Sequence, residues 1–431
     1  MPSEKEKVSL MIWILVGYMW LVIHRPFEVW PILATIRLER VYMIFTLVAW
    51  FALSPKKLTT NICSIAIFLM ACSITLSTLA SPYMGFGNNP ETEEWYKILV
   101  FYLLIVTTIQ KEADLRFFVT AFVVIFGIYM LHSYREFLCG KFVYDAGVVR
   151  MCGVDSTLGY ANQFASAICY AIAWLIPAMF YWNERKYRWI YVAYILFGFW
   201  CILLTGSRTG FIMISLIIAF IALYSKYRYL FIVACLVGAP FAYSVLPETA
   251  QTRITSLFQG DYREGNEGKS VFGQRGGGFW IGLDVMSNNP LGTGPGTGPA
   301  FVPELHKLDY HNLYGQVMGD LGIPGTFSYL LLFVSVYGNH FTARSYYMRL
   351  RKTKGGGKEV NYLYWVSFTT AFVYTMLLAG GWSGHTAYRY YWLWFAAFQM
   401  FAISFLRVRV ESFIPTPLPS RAEIPYKNVA T

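Results

Sequence analysis

The sequence predicts an all-α polytopic membrane protein with about twelve transmembrane helices and one large, partly helical outer loop. Three observations carry that prediction. Apolar residues make up 56% of the 431 positions and charged residues only 14%, against about 25% charged in a soluble domain. The apolar residues fall into runs long enough to approach the roughly 20 residues that one bilayer crossing needs. The charged residues collect in the short connections between those runs.

In chain order, the apolar segments lie near 8–23, 38–54, 60–80, 96–110, 117–133, 160–182, 189–205, 209–224, 229–247, 322–343, 361–380 and 390–406. The first follows Lys5 and Lys7 and has the look of a signal peptide. It lacks a small-x-small cleavage site and more spans follow, so it is expected to remain as a helix. The resulting division is 1–245, nine helices with short loops; 246–321, the large loop; 322–406, three helices; and 407–431, a tail. Within the large loop, Phe279 to Asn288 reads as an amphipathic helical stretch stopped by Asn289-Pro290, and Asn312 to Asp320 as a second.

Placing the N-terminus in the cytoplasm and alternating the spans puts 21 of the 35 basic residues in the inner connections and the tail. Basic residues accumulate on the cytoplasmic side, so both termini are expected there, and the large loop outside. The net charge of +11 is therefore read as topology. No zinc-finger spacing or basic, aromatic-interleaved module supports nucleic-acid binding. The seven cysteines contain no CxxC and form no framework; Cys139 and Cys152 share one polar outer loop, where they pair or remain free thiols.

The spans are nearly free of carboxylates and bases, apart from a few near their ends. Intramembrane carboxylates mark ion-coupled transporters, so the chemistry is expected at the outer surface. His132 and His340, near helix ends, read as interfacial. Of the fourteen outer basic residues, ten are arginine: Arg25, Arg37, Arg40, Arg135, Arg150, Arg208, Arg253, Arg263, Arg275 and Arg389. Arginine holds phosphate oxygens in a bidentate fork and keeps its charge. An anionic headgroup accounts for such a cluster; pairing with loop carboxylates such as Glu28, Asp145, Asp261 and Glu264 is the plainer account for any one of them. Arg208 stands apart. In Thr205-Gly206-Ser207-Arg208-Thr209-Gly210 it is pinned between two apolar runs with almost no loop, and glycines allow the tight reversal. His311, in Asp309-Tyr310-His311-Asn312 before Gly319-Asp320-Leu321-Gly322-Ile323-Pro324-Gly325, sits at the lip of a span with a side chain suited to proton transfer near neutral pH. Asp309 and His311 lack a third ligand at metal spacing. The run Gly292-Thr293-Gly294-Pro295-Gly296-Thr297-Gly298-Pro299 has no Gly-Lys-Ser/Thr and is not a P-loop; it is expected to be a shaped loop beside the site.

Taken together and in order, these motifs resemble the bacterial O-antigen ligase and polymerase superfamily. The resemblance covers roughly 145–345 and rests on Gly206-Ser207-Arg208-Thr209-Gly210, Arg275, Trp280, Asn289-Pro290-Leu291-Gly292, His311-Asn312 and Asp320-Leu321-Gly322-Ile323-Pro324-Gly325, with Arg150 and Gly159-Tyr160-Ala161-Asn162-Gln163 upstream. It implies a multi-pass glycosyltransferase of the bacterial inner membrane, without cofactor or metal. Such an enzyme moves a glycan from a polyprenyl (undecaprenyl) diphosphate carrier, with inversion, to an acceptor hydroxyl on the periplasmic face. It assigns Arg208, Arg275 and His311 to the active site, and Arg208, Arg275, Arg150 and Arg253 to the diphosphate. Arg275 is followed by three glycines and lies one residue further from Trp280 than in similar sequences, which leaves Arg263 or Arg253 open as the second phosphate ligand. The acceptor is a glycolipid, a growing polysaccharide or a protein, the last two being polymerase and protein O-glycan ligase versions of the same fold. A flippase for lipid-linked sugars, the rival from another class, would want a charged cavity through the spans, and the sequence shows none.

Overall fold

The computed structural model describes residues 7–53, 56–81, 89–145, 148–224, 271–298, 310–352, 357–382 and 384–413, with four isolated positions at 229, 233, 244 and 251. Its elements are α1 (Leu10–His24), α2 (Pro26–Val29), α3 (Pro31–Thr35), α4 (Leu38–Leu53), α5 (Ile62–Ala80), α6 (Pro90–Thr108), α7 (Glu112–Leu138), β1 (Val143–Asp145), β2 (Val148–Arg150), α8 (Ala161–Ala173), α9 (Leu175–Tyr181), α10 (Arg185–Thr205), α11 (Arg208–Tyr224), α12 (Val271–Asn288), α13 (Leu313–Lys352), α14 (Lys358–Gly381) and α15 (Tyr391–Phe413). Seven helical stretches among the described residues are long and apolar enough to cross a membrane, and Leu10–His24 and Arg208–Phe220 are shorter apolar helices beside them. The protein is an all-α, multi-pass membrane protein. Eleven of the twelve predicted apolar segments coincide with helices; the one near 229–247, like most of the large loop and the tail after 413, lies outside the described residues.

Local chemistry sets the helix ends. Asn61 accepts from the Cys63 amide at 2.9 Å and forms a capping box with Ser64 at the start of α5. Asn89 caps α6 before Pro90, whose missing N–H costs nothing in the first turn. Pro177 cannot donate to the carbonyl four residues back, and the segment predicted as one span breaks at Trp174 into α8 and α9.

The helices alternate in direction, and contacts at the two ends show it. At one end, Ser9 reaches Asp114 at the start of α7, Arg409 near the end of α15 forms a fork with Glu112 at 2.6 and 2.8 Å, and Arg116 and Lys358 both lie over the Tyr181 ring. At the other, Arg25 after α1 contacts Glu94 in the first turns of α6 and Thr157 in the loop after α7. The core is centred on α15, which is apolar all round and buried: Trp392, Leu393, Trp394, Phe395 and Phe398 are wholly enclosed by α5, α6, α7, α13 and α14. Helices apolar on every face belong in such a core or in lipid. Exposed Phe68, Val124, Leu131, Leu196, Phe327 and Val334 form the apolar outer surface.

Three features depart from the sequence reading. A two-stranded antiparallel hairpin pairs Val143 with Arg150 in the outer loop after α7; strands of three residues are too short for alternation to reveal. α13 begins at Leu313, not near 322, and runs to Lys352 through a kink at Gly322 (φ 62°), so His340 is well inside a helix, packed beside Tyr364 and Phe368. His132 is not merely interfacial: its Nδ1 is 3.0 Å from His24 Nε2. Cys139 and Cys152 are free thiols.

Candidate active site

The turn carrying Arg208 is fixed from both sides. α10 ends on Gly206 in the left-handed region (φ 56°, ψ 28°), a conformation glycine adopts without steric cost. The Ser207 hydroxyl accepts from the Gly210 amide at 3.2 Å and caps α11, so Arg208 is the first residue of that helix. It is half-buried, and the helix N-terminus beneath it adds further positive potential. Gly210 lies against Ala165 and Ile202, allowing α8, α10 and α11 to meet closely.

Arg150, the last residue of β2, is buried and grips this turn. Its Nε donates to the Thr205 carbonyl at 2.8 Å, its Nη2 to Asn162 Oδ1 at 2.7 Å, and the next amide, Met151, donates to the Leu204 carbonyl at 3.0 Å. A guanidinium on the last carbonyls of a helix offsets the negative end of its dipole. Through these bonds Arg150 holds the chain just before Arg208.

His311 enters from another direction. Its backbone is left-handed (φ 49°), which costs a non-glycine residue energy and persists only where surroundings enforce it. The enforcing group is Asn312, fully buried. Its Oδ1 accepts from the Gly315 amide at 3.0 Å, capping α13, and its Nδ2 donates to the Trp382 carbonyl at 3.3 Å. The His311 ring is exposed and lies 5.6 Å, centroid to centroid, from that of His385.

The end of α14 joins the two parts. Gly380 abuts Met213 and Thr209 at the start of α11, while Gly381 abuts Leu313 at the start of α13. The Tyr314 hydroxyl donates to the Leu378 carbonyl at 2.8 Å. The Arg208 turn and the His311 turn therefore flank the same last turn of α14, at the same end of the bundle.

α12 supplies the third part. Gly278 lies against the Tyr310 carbonyl, Gly282 against the Gly315 backbone and Gly315 against the Gly278 carbonyl, so α12 crosses the start of α13 where no side chain fits. This accounts for Gly278, the last of the three glycines after Arg275. Gly278 meets the residue before His311, and Arg275 lies three positions earlier on the same helix, about 4.5 Å along its axis. The Arg275 side chain, and Arg253 and Arg263 entirely, lie outside the described residues.

The Gly/Pro run is a strap over the α13 kink, as its shape suggests. Thr293 and Gly294 donate to the carbonyls of Gly319 and Asp320 at 3.1 and 2.9 Å, and Gly296 to Asp320 Oδ2 at 2.9 Å. Tyr388 donates to the same Asp320 oxygen at 3.0 Å. Burial and that carboxylate push the Tyr388 phenol well above its ordinary range, so it remains a donor. Of the other outer arginines, Arg25 pairs with Glu28 at 2.8 Å and with Glu94, and Arg40 and Arg135 make long pairs with Glu93 and Glu136; for these the plainer account holds. Sequence reasoning missed His385 and Tyr388. Their signal was the Gly380-Gly381 pair closing an apolar run.

Residues 193–330 match the family model described as O-antigen ligase. This segment is an O-antigen ligase domain. It runs from within α10, through Arg208, Arg275 and His311, to the first part of α13 beyond its kink. The match supports a glycosyltransferase-type enzyme in broad terms, and the motif resemblance drawn from the sequence agrees with it. No curated protein matches the chain.

Proposed function

We propose that this protein transfers a glycan from a polyprenyl-diphosphate carrier to an acceptor hydroxyl at the outer face of the bacterial inner membrane, in the manner of an O-antigen ligase. One observation carries the reading: the matched segment contains both turns, of Arg208 and of His311, that flank the end of α14. In this reaction the acceptor oxygen attacks the anomeric carbon from the side opposite the diphosphate, the glycosidic bond to the diphosphate breaks, and configuration inverts. Negative charge develops on the departing phosphate oxygens. Arg208, at a helix N-terminus, and Arg275 neutralise it, with Arg253 as a further ligand; cations placed where charge develops stabilise the transition state more than the ground state. Arg150 contributes by fixing the Arg208 turn. His311 accepts the proton of the acceptor hydroxyl. Because guanidinium groups supply the neutralising charge, transfer is expected to persist in chelator.

An apolar groove of about 190 Å³ between α12 and α13, lined by Phe279, Tyr314, Met318, Tyr329 and Phe333, starts two to three residues from His311 and offers the polyprenyl chain a path into lipid. The test is transfer by purified protein with extracted lipid-linked glycan. Arg208→Ala and His311→Ala are each expected to lower transfer by at least a hundred-fold at normal membrane levels. Normal rates in both would overturn the assignment.

A further inference from the structure

A second cavity, of about 310 Å³, opens at the same end of the bundle, and nothing above uses it. Arg25, Glu39, Glu91, Glu94, Tyr388 and Arg389 line it. We infer that this cavity binds an uncharged, hydroxyl-rich sugar ring of one of the two substrates; the inference rests on the glycosyl-transfer reading above and names a subsite for it.

The charge balance excludes the carrier diphosphate. Three carboxylates face two guanidinium groups, a formal balance of −1, and like charge opposes an anion. The pairing pattern favours hydroxyls. Arg25 is engaged by Glu94 and Glu28, but Glu39 and Arg389 make no hydrogen bond or ion pair through their side chains with any described residue. One is an acceptor only and the other a donor only. Both face the cavity without meeting each other. A ligand that serves both must accept and donate over a short span, which neighbouring sugar hydroxyls do. Charged groups give such hydrogen bonds their greatest strength.

Position links the cavity to the candidate active site. Tyr388 and Arg389 follow His385 on the loop after α14, and His385 lies beside His311. Tyr388 shares Asp320 with Gly296, whose own neighbour is Glu91. One wall of the cavity is thus built from the loop that carries His385, and the strap packs against its Glu91. A sugar held there belongs to a chain whose next residues reach the reacting hydroxyl or the anomeric carbon.

The variants Glu39→Ala and Arg389→Ala test this, and neither breaks a side-chain hydrogen bond or close ion pair with a described residue. Membranes of a strain deleted for this chain supply the lipid-linked glycan, by organic-solvent extraction, and the residual acceptor fraction; each is titrated against purified wild-type or variant protein. Each variant is expected to raise the half-saturating amount of one fraction about ten-fold or more, the loss of a charged hydrogen bond, with the maximal rate within two-fold of wild type. A shift confined to the acceptor fraction places an acceptor sugar in the cavity, and one confined to the donor fraction a donor sugar; either supports the proposal. A lower half-saturating amount in Glu39→Ala would mean an anionic ligand and overturn it. Unchanged titrations in both variants, with transfer lost in Arg208→Ala, overturn this inference alone. Absence of transfer by the wild-type protein with both fractions removes the glycosyl-transfer reading, and this subsite with it.

Discussion

Asn312 shows how much of the candidate site hangs on a residue that performs no chemistry. It caps α13 and bridges to Trp382, and the left-handed His311 precedes it directly. Asn312→Ala removes both bonds. Losing a cap costs about 1 kcal/mol, which a bundle of this size tolerates, so the variant is expected to fold with a melting temperature a few degrees lower. Transfer is expected to fall by at least ten-fold, because His311 loses its fixed backbone. Asn312→Asp keeps the cap oxygen and loses the donor to Trp382, so it should lie between the two. Wild-type transfer by Asn312→Ala would show that His311 needs no such support. Arg150 makes the same point with a cation. Arg150→Lys keeps the charge and loses the planar fork that spans Thr205 and Asn162; a drop of five-fold or more in transfer, measured at equal protein levels, is expected.

Among the elements, the crossing of α12 over α13 depends on glycine at one position and not at its neighbour. A Cβ at Gly278 would run into the Tyr310 carbonyl, whereas one at Gly277 meets nothing within 4 Å. Gly278→Ala must push the helices apart, and overpacking of this kind costs about 1–3 kcal/mol. Gly277→Ala gains about 0.5–1 kcal/mol from the better helix former. Thermal unfolding in detergent should move down for the first and up for the second, with transfer lost only in the first; equal shifts would contradict the packing described. This crossing also marks where the sequence stopped being legible. Glycine reads as a helix breaker, so Gly276-Gly277-Gly278 looked like a departure, and α12 was expected to start at Phe279. Only the partner helix reveals that a bare backbone is required there. Arg208 and His311 were legible because each is pinned by local signals, a glycine turn and a glycine-bounded passage. His385 and Tyr388 were not, because what brings them to His311 and Asp320 is the packing of α14 against α11 and α13, which no local pattern encodes. The inward role of Arg150 was hidden for the same reason.

On the scale of the molecule, the two ends of the bundle differ in kind. One holds His311, Arg208 and the mixed-charge cavity. The other holds the dense basic connections, tied by Arg409 to Glu112 and by Arg116 and Lys358 to Tyr181. The Arg409–Glu112 pair is part-exposed, so Arg409→Ala is expected to cost no more than about 1 kcal/mol and to leave transfer unchanged. Orientation is the larger claim. Basic density belongs on the cytoplasmic side, and on that ground we propose that the His311 end lies outside. Cys139 is exposed at the His311 end and serves as a native reporter; Ser345 on α13, replaced by Cys in a Cys139→Ser background, reports on the other. In spheroplasts, a membrane-impermeant maleimide is expected to label Cys139 at once and the Ser345→Cys variant only after the membrane is opened. The reverse pattern would place the arginine-rich end in the cytoplasm, and the acceptor would then have to be sought there.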